Sequence, residues 1–595
     1  MLKSAKKIIL VAINAKFIHA NLAIPSLIRH VRDLPGIIIT ALEFTTQDKI
    51  NHILAEITDA QPDVVGFSCY IWNIEIVRNL VAALKKVRPG VCIILGGPEV
   101  SFDPEAQLAK CPADIVVRSE GEGALRDILT GTPLSEINGI SFYAASNEIH
   151  TSSLRTKLPL EEIAFPYAAD TLPQNKIIYY ESSRGCPYTC GFCLSHSEKP
   201  VRLLPLARVF RELDFFLAHR VNQVKFVDRT LNCARARALA IWQYLLDNDN
   251  GHTNFHFEIS ADLLDSAAIA LLQKAPEGLF QFEIGVQSTH APTLQLIRRQ
   301  THTDAALANI RALKSAPHVH ILLDLIAGLP GESFTRVRQS FNDVYALTPH
   351  MLQLGFLKLL KGSRLREEAE LHDIVYQDAP PYEVLYTAHI TYEELKILKQ
   401  IEHALDILYN SGHFAWTVSF AIPFFPSAFD FYASFAAHWK ENGYHRAAQS
   451  LPRLFEILNN FLAPHTAPEA RLNLLRYDWY ATGNQKSPPA WLYEPTQADL
   501  QQINQLYKTT DTPRRHPIVK FDFDPGASNV MTNGKNATIN SDRDGVYLLF
   551  KSTAKPRPGA QGKCMIVTNL SIANEISLYS IKELGLNQIY LSFKK

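Results

Sequence analysis

The chain has 595 residues, which is too long for one hydrophobic core and predicts three or more folded units. Hydrophobic residues make up 47% and charged residues 20% of the chain, an ordinary globular composition that argues against widespread disorder. Lys plus Arg and Asp plus Glu number 59 each, so no net charge draws the protein onto nucleic acid or an anionic membrane.

The eight cysteines are too few and too scattered for a secreted disulfide framework, which favours a reducing compartment. No run reaches the roughly 18 apolar residues that a membrane-spanning helix needs. We therefore expect a cytoplasmic protein without a membrane or nucleic-acid partner.

Short apolar runs alternate with helical patterns from residue 7 to about residue 130. Buried strands separated by amphipathic helices predict a doubly wound parallel sheet, and we assign this α/β domain to residues 1–140. Asn73 and the pair Asp103-Pro104 are residue types that favour helix N-termini. The predicted strands are KIILVAI, GIIITAL, DVVGFS, VCIILGG and DIVVRS, and the helical patterns cover 21–33, 47–60, 74–87, 104–110 and 122–130.

Residues 131–176 break this alternation with a small predicted strand, GISFY, and residues 141–176 are predicted to form a proline-bearing linker. The β/α alternation then returns six times within 177–390, which predicts a partial (β/α)6 barrel with its active site at the carboxyl ends of the strands. The six strand segments are KIIYYESS, VKFVD, FHFEIS, LFQFEIGVQS, HILLDLIAGLP and MLQLGFLKLL.

Two further regions follow the barrel. Residues 391–515 have helical patterns and many aromatic residues, and predict a helical accessory region. Residues 516–595 alternate like short strands around Gly, Asn and Asp turns, which predicts a small β-rich part with a loop at 525–545.

The motif RGCPYTCGFC places Cys186, Cys190 and Cys193 directly after a predicted strand. Three close thiolates suit an iron–sulfur cluster whose fourth iron stays open for a substrate or cofactor. The alternatives are a zinc site completed by His196 and a loop of unrelated cysteines.

This loop resembles the Cys-x-x-x-Cys-x-aromatic-Cys motif of the radical S-adenosylmethionine (SAM) superfamily, with Phe192 as the aromatic residue. The resemblance implies a [4Fe–4S] cluster that cleaves SAM to methionine and a 5′-deoxyadenosyl radical. The segments FVDRTLN, FEISAD, EIGVQS, RRQTHT and DLIAGLPGES also resemble the superfamily, in the same order. By that resemblance the SAM-binding residues are Phe192, Glu258, Ser260, Glu283, Gln287, Arg298, Phe356 and Leu357. The glycines Gly328 and Gly331 are interpreted as turn residues.

The first domain together with this barrel resembles cobalamin-binding radical SAM proteins of the class B methyltransferase type, through VGFSCYIWN, ILGGPEVS and RSEGEG. These loops lie where a flavodoxin-like sheet binds ligands. The implied cobalamin-binding residues are Asn14, Ser68, Tyr70, Trp72, Asn73, Gly96, Gly97, Glu99, Glu120 and Gly121. The chain has no Asp-x-His-x-x-Gly after its first strand, and His19 is the nearest histidine, so we expect no histidine on cobalt.

The resemblance implies an enzyme that methylates an unactivated carbon of a small-molecule or biosynthetic-intermediate substrate, with flavodoxin or ferredoxin as electron donor. No catalytic residue is assigned. The alternatives are a cobalamin-containing cyclase, oxidoreductase or rearrangement enzyme, and a non-catalytic cobalamin or redox sensor. A tRNA methylthiotransferase is a further alternative, which would need a second cluster on Cys69, Cys92 and Cys111.

Overall fold

The computed structural model describes residues 7–197, 199–316, 318–481, 488–509, 518–521, 546–549, 551–552 and 564–565. The predicted loop at 525–545 and most of the predicted β-rich part therefore lie outside the described residues. The described chain divides into two compact units. The first comprises residues within 1–319, 326–333 and 356–392, and the second comprises 320–325, 334–355 and residues from 393 onward.

The N-terminal region is a seven-stranded sheet with helices on both faces. Strands β1 to β5 are parallel in the order β2-β1-β3-β4-β5, and the antiparallel strands β6 and β7 extend the β5 edge. The strands are β1 (Lys7–Asn14), β2 (Ile38–Thr45), β3 (Val64–Ser68), β4 (Cys92–Gly96), β5 (Ile115–Val117), β6 (Ile140–Tyr143) and β7 (Ile149–Thr151). The helices are α1 (Ala23–Val31), α2 (Ile50–Asp59), α3 (Ile74–Val87), α4 (Pro98–Ser101), α5 (Pro104–Lys110) and α6 (Glu122–Leu129).

Alternate residues of β1 pack into two separate cores, one on each face of this sheet. Ile9 and Val11 pack with residues of α2 and α3. Ile8 and Leu10 pack with residues of α1 and α6. This two-sided burial explains why the strands are continuous apolar runs rather than alternating ones. The doubly wound fold predicted from the sequence is confirmed. Strand β6 corresponds to the predicted segment GISFY, whereas β7 was not expected, because it adds a strand to the sheet within the predicted linker.

A second sheet of six strands follows, in the order β15-β14-β13-β12-β11-β8. Its first four strands along the chain are parallel, as the six β/α units predicted. The strands of this sheet are β8 (Ile177–Tyr180), β11 (Gln223–Phe226), β12 (Asn254–Ile259), β13 (Phe280–Gln287), β14 (His320–Ala327) and β15 (Met351–Phe356). Two separate antiparallel pairs are formed by β9 (Ser183–Arg184) with β10 (Arg202–Leu203) and by β16 (Val375–Tyr376) with β17 (Val384–Tyr386). The helices are α7 (Leu206–Ala218), α8 (Arg235–Asp247), α9 (Ser266–Leu272), α10 (Ala291–Leu296), α11 (Thr303–Leu313), α12 (Phe334–Tyr345) and α13 (Arg364–Glu367).

The rest of the described chain is mainly helical. Its helices are α14 (Tyr392–Leu405), α15 (Ala415–Ala421), α16 (Ala428–Glu441), α17 (Leu451–Leu462), α18 (Pro468–Ala481) and α19 (Gln497–Thr509), and the strands β18 (Ile518–Phe521), β19 (Val546–Leu549), β20 (Lys551–Ser552) and β21 (Cys564–Met565) follow. Asp478 on α18 is buried, and it accepts hydrogen bonds from the N–H groups of Trp416 and Thr417 and from the Thr417 hydroxyl. This carboxylate therefore anchors the start of α15. None of the described helices is both long and apolar enough to cross a membrane.

Candidate functional site at the strand ends

The three cysteines of the motif lie together in the loop that follows β9. Cys186 and Cys190 are buried and Cys193 is half-buried. Burial raises the pKa of the Cys186 thiol, hydrogen bonds from the Tyr188 N–H and the Thr230 side chain oppose that rise, and the neighbouring thiols of Cys193 and Cys190 add to it. The loop thus brings the thiols of Cys186, Cys190 and Cys193 close to one another.

The cysteine loop suits a cluster better than a single metal ion. Within the described residues no three His, Cys, Asp or Glu side chains are arranged to hold one ion. In an iron–sulfur cluster each thiolate binds its own iron, so the three sulfurs must lie near one another without converging on one point. The donor set of Cys186, Cys190 and Cys193 therefore fits the predicted [4Fe–4S] cluster.

Buried hydrogen bonds hold the segment before the cysteine loop and the loop itself. Before the loop, Asp228 accepts from the Ser182 N–H at 2.9 Å and from the hydroxyls of Ser182 and Ser183 at 2.6 Å each. Within the loop, the Gly191 N–H donates to Ile297 O at 2.8 Å. Asp228 is therefore an anchor of the segment that leads into the loop, whereas the sequence marked it only as part of FVDRTLN.

Glu258 and Glu283 lie side by side, in register on β12 and β13. Burial and the charge of Glu283 raise the pKa of Glu258 to about 7. Burial also disfavours the charge on Glu283, but the hydrogen bond from His256 and the ammonium of Lys225 outweigh it and lower the pKa of Glu283 to about 2. Lys225 Nζ lies 2.7 Å from Glu283 Oε2, so Glu283 is held as an anion.

Lys225 and Asn232 are two supporting residues that the sequence reasoning missed. Asn232 donates from its side chain to Ser260 O at 2.8 Å and accepts from the Ser260 N–H at 2.9 Å, which fixes the backbone of that predicted SAM residue. The signal for Lys225 was a lysine within the apolar run VKF. Asn232 ends FVDRTLN, one of the segments that resemble the superfamily, but no role was predicted for it.

Gln287 has the features of a ligand-facing residue. It ends β13 with φ +69°, a conformation that is costly outside glycine and clusters at functional sites. Its Oε1 is buried and has no hydrogen-bond partner among the described residues. A bound molecule with a donor group would satisfy this oxygen, so the residues present fit SAM.

The remaining predicted SAM residues have different surroundings. Arg298 Nη2 lies 2.7 Å from Glu368 Oε1, whereas the next residue, Arg299, reaches Cys190. Leu357 is buried, its N–H donates to Ala327 O and its carbonyl accepts from the Val384 N–H, both at 2.9 Å, so its backbone has no free donor for a ligand. Phe192 is half-buried within the cysteine loop, and Phe356 is the last residue of β15.

Asn73 connects two loops at the carboxyl edge of the first sheet. It occupies the N-cap position of α3, as its residue type suggested, but its side chain makes no cap hydrogen bond. Its side chain accepts from the Tyr70 N–H at 2.8 Å and donates to Ile13 O at 3.0 Å and Ser68 O at 2.9 Å. One amide thereby joins the loops after β1 and β3. Asp103 likewise makes no cap, since it accepts from the Gln107 side chain, while Pro104 occupies the first helical turn as expected.

Apolar side chains are exposed along this edge. The rings of Tyr70 and Trp72 stack at 4.4 Å, and the Trp72 indole donates to Ile13 O at 3.0 Å. Trp72 is 45% exposed, and Phe17 and Ile18, after β1, are 67% and 44% exposed. Uncovered apolar surface at the ligand edge of a doubly wound sheet fits a large flat ligand such as a corrin.

The other predicted cobalamin residues are held by the protein itself. Asn14 is buried and lies 3.5 Å from Glu43, and the Ser68 hydroxyl lies 3.5 Å from Val11 O. Gly97 has φ +116°, and a Cβ there would lie 2.6 Å from Cys69 O, so this glycine serves the contact between two loops. Gly96 and Gly121 have negative φ values and more room: their nearest neighbours are Val117 and Leu27 at 3.8 and 3.3 Å.

The acidic residues of these loops pair with residues that follow the first sheet. Glu99 is buried, lies 2.9 Å from Lys361 Nζ and accepts from the Tyr382 hydroxyl. Glu120 pairs with Arg202 and lies 3.3 Å from Arg184. All four of these partners belong to the same compact unit as the sheet. These carboxylates thus attach the N-terminal sheet to the barrel.

His19 also lies at this attachment. Its Nδ1 is 2.8 Å from the Tyr179 hydroxyl on β8, and the Ile177 N–H donates to Ile18 O at 2.7 Å. Burial and the charges of Lys16 and Lys225 lower the pKa of His19. Its Nδ1 is therefore engaged by the barrel.

Cys69, Cys92 and Cys111 do not form one metal site. Cys69 and Cys111 pack in the core on one face of the first sheet, and Cys92 packs in the core on the other face. Burial raises the pKa of all three thiols, that of Cys92 to about 12. The sheet thus separates Cys92 from Cys69 and Cys111, whereas a second cluster would have required all three sulfurs together.

Three family models match the chain. Residues 8–129 match a B12 binding domain, residues 180–344 match the Radical SAM superfamily, and residues 370–522 match a family described as a protein of unknown function, DUF4080.

Two curated relatives are methyltransferases by name. The 2-(S-pantetheinyl)-carbapenam-3-carboxylate methyltransferase of Streptantibioticus cattleyicolor is 29% identical over 48% of this chain and 45% of its own length. The cobalamin-dependent radical SAM methyltransferase TokK of Streptomyces tokunonensis is 27% identical over 50% of this chain and 47% of its own length. The match thus spans about half the length of these relatives.

A solved structure shares the fold. It is described as the cobalamin-dependent S-adenosylmethionine radical enzyme OxsB with aqua-cobalamin bound, and it matches with a TM-score of 0.56 at 17% identity. The match covers 86% of this chain and 82% of that one.

Proposed function

This chain is a cobalamin-binding-domain radical SAM protein, and from that premise we propose that it is a methyltransferase that acts on an unactivated carbon of a small molecule. The radical SAM domain implies a [4Fe–4S] cluster and SAM, and the B12 binding domain implies cobalamin. Two relatives named as methyltransferases support the methyl-transfer assignment.

The observation that supports this proposal is that the cysteine loop and the loops with the predicted cobalamin residues belong to one compact unit. The cysteine loop follows β9, and two of the predicted cobalamin-binding loops follow β1 and β3. The contact between His19 and Tyr179 joins the loop after β1 to β8, the barrel strand that precedes the cysteine loop. A substrate bound between them would be reached from both cofactors.

The protein's own residues supply ligands, fixed charge and exclusion of water. Bound together, the cluster and SAM would supply a 5′-deoxyadenosyl radical and cobalamin the methyl group. Lys225 and His256 both reach Oε2 of Glu283, which leaves Oε1 as the oxygen that could accept from a ligand hydroxyl. The buried Oε1 of Gln287 provides a second acceptor, and the stacked Tyr70 and Trp72 would exclude water from one face of a corrin.

A second candidate function keeps the same cofactors without methyl transfer. OxsB, which matches over most of this chain, is described as a radical enzyme rather than as a methyltransferase. A rearrangement, cyclisation or oxidation would use the same cysteine loop and sheet edge. A methylthiotransferase has less support, because the three cysteines available for a second cluster lie on opposite faces of a sheet.

The deciding experiment is anaerobic reconstitution of the full chain with iron, sulfide, cobalamin and SAM, reduced by flavodoxin or ferredoxin. Methyl transfer releases both 5′-deoxyadenosine and S-adenosylhomocysteine. Release of 5′-deoxyadenosine alone supports the second candidate. Failure to cleave SAM at all, with a full cluster present, contradicts both.

The matched control replaces Cys186, Cys190 and Cys193 together by alanine. We expect this variant to lose the cluster iron and SAM cleavage, because Cys233, a further thiol near Cys186, cannot replace three ligands. Iron analysis and the visible spectrum measure the loss. A triple variant that still binds a four-iron cluster shows that the assignment of the ligands is wrong.

A further inference from the structure

Two consecutive arginines send their guanidinium groups to different partners. Arg298 has φ +54° and pairs with Glu368, with Nη2 and Oε1 2.7 Å apart. Arg299 points the other way: its Nη1 lies 3.7 Å from Cys190 Sγ, and its Nη2 donates to Gly285 O at 2.8 Å. Only the second arginine therefore touches the cysteine loop.

The geometry of Arg299 is fixed from three sides. Its N–H donates to Leu294 O at 2.8 Å, which closes the end of α10. The carbonyl of Ile297, two residues before Arg299, accepts from the Gly191 N–H, so the segment after α10 is bound to the cysteine loop. The bond to Gly285 O then orients the guanidinium plane, because a fork of N–H groups can serve a carbonyl and a sulfur at once.

We propose that Arg299 is a positioning residue that raises the reduction potential of the cluster through an N–H···S hydrogen bond to Cys190. The inference rests on the proposed cluster ligands and goes beyond them. Reduction adds one negative charge to the cluster, and a cationic donor at a ligand sulfur stabilises the reduced form more than the oxidised form. Arg299 acts through Cys190 and need not touch SAM or substrate.

The test uses the full chain reconstituted anaerobically without SAM, with the cluster potential measured by EPR-monitored redox titration. Arg299→Gln is expected to lower the midpoint potential of the cluster by about 59 mV. At the wild-type midpoint the ratio of reduced to oxidised cluster then falls about tenfold, since one electron is transferred. Arg299→Lys is expected to shift the midpoint in the same direction by less, because an ammonium keeps the charge but lacks the fork. Arg298→Gln is the matched control and is expected to leave the midpoint unchanged.

Several results would overturn the inference. A wild-type midpoint in Arg299→Gln or Arg299→Lys contradicts it, as does an equal shift in Arg298→Gln, which would reveal only a general charge effect. If neither Arg299 variant assembles a cluster, pulsed EPR of the wild type labelled with ¹⁵N-arginine decides, and absence of a ¹⁵N coupling to the reduced cluster excludes the bond. A wild-type chain that assembles no [4Fe–4S] cluster would refute the proposed function instead, so the two failures are distinguishable.

Discussion

Glu258 and Glu283 are neighbouring carboxyls whose pKa values are pushed apart by their surroundings. Lys225 forms an ion pair with Glu283, so that carboxyl keeps its charge, and burial together with this charge raises the pKa of Glu258 to about 7. A pair of titratable groups with separated pKa values is typical of functional sites. It also makes stability depend on pH.

Glu258→Gln is expected to stabilise the protein without cofactors above pH 7 and to have little effect near pH 4. The wild-type carboxyl binds its proton more tightly when folded, so the stability gained from its protonated form is present below about pH 4.5 and is lost as the pH rises to about 7. The difference amounts to about 3 kcal/mol at most. Thermal unfolding of both proteins from pH 4 to pH 8 measures it.

Glu283→Gln provides the opposite control. The pKa of Glu283 is lowered, so its contribution to stability is present above about pH 4.5 and is lost as the pH falls to about 2. This variant should be less stable than the wild type at pH 7. A stability gain in Glu258→Gln that does not change with pH would contradict the interpretation.

Elements of the barrel depend on glycines at which the chain turns. Gly328 follows β14 with φ +85°, and a Cβ there would lie 2.6 Å from Val384 Cγ1. Gly331 has φ +77°, and a Cβ there would lie 2.6 Å from Leu296 Cδ1. Both glycines therefore serve turns and close packing, as the sequence predicted.

Gly328→Ala is expected to lower the free energy of unfolding more than Gly131→Ala does. Gly131 has a similar φ of +81° with nothing within 4 Å of its added Cβ, so it reports the backbone strain alone. The additional loss at Gly328 measures the overpacking against Val384, about 1–3 kcal/mol. Chemical denaturation gives both values, and equal losses would show that Val384 moves aside.

In the second unit, Asp478→Ala is expected to destabilise α15. The substitution leaves two backbone N–H groups and a hydroxyl without their acceptor in a buried place, at a cost of about 3 kcal/mol. Asp478→Asn keeps an acceptor oxygen and should cost less. Hydrogen exchange at residues 415–421 localises the effect, and unchanged protection there would contradict the anchoring role.

The repeating elements were predictable from the sequence, whereas the contacts between distant elements were not. Two-sided burial makes β1 an apolar run, and six β/α units leave a recurrent pattern. Glu99 and Lys361, in contrast, meet across 262 residues without a local signal. The same limit applies to Arg298 and Arg299, because the backbone turn at Arg298 decides which side chain reaches the cysteine loop. The predicted domain boundaries and binding residues stay predictions.

At the scale of the first compact unit, ion pairs hold the N-terminal sheet to the barrel. Lys361 lies 2.9 Å from Glu99 and 3.1 Å from Asp103, Glu120 pairs with Arg202, and Lys176 lies 2.5 Å from Glu43. A fragment that ends near residue 145 would lose these partners. Cobalamin binding and the absence of a histidine on cobalt are therefore better tested in the full chain, by EPR of bound cob(II)alamin with and without His19→Ala.

Lys361→Met is expected to destabilise the attachment by about 3–5 kcal/mol, because it leaves the buried Glu99 carboxylate without a cation. Adding Glu99→Gln should recover part of that loss. The exposed pair of Arg453 and Glu456 supplies the control, and Arg453→Met should have a much smaller effect. Hydrogen exchange at residues 92–110 measures the change, and a double variant no more stable than the single one would argue against the pairing.

The three hydrogen bonds of the Asn73 side chain affect the heat-capacity change expected when a ligand binds. Because Asn73 already joins the loops after β1 and β3, and the Cys69 N–H donates to Gly96 O at 2.7 Å, the rim of the sheet is ordered before any ligand arrives. Uptake of a corrin then buries mainly the exposed surface of Phe17, Ile18 and Trp72. We expect a small negative heat-capacity change in calorimetry, of the size set by those side chains, since no backbone has to fold on binding.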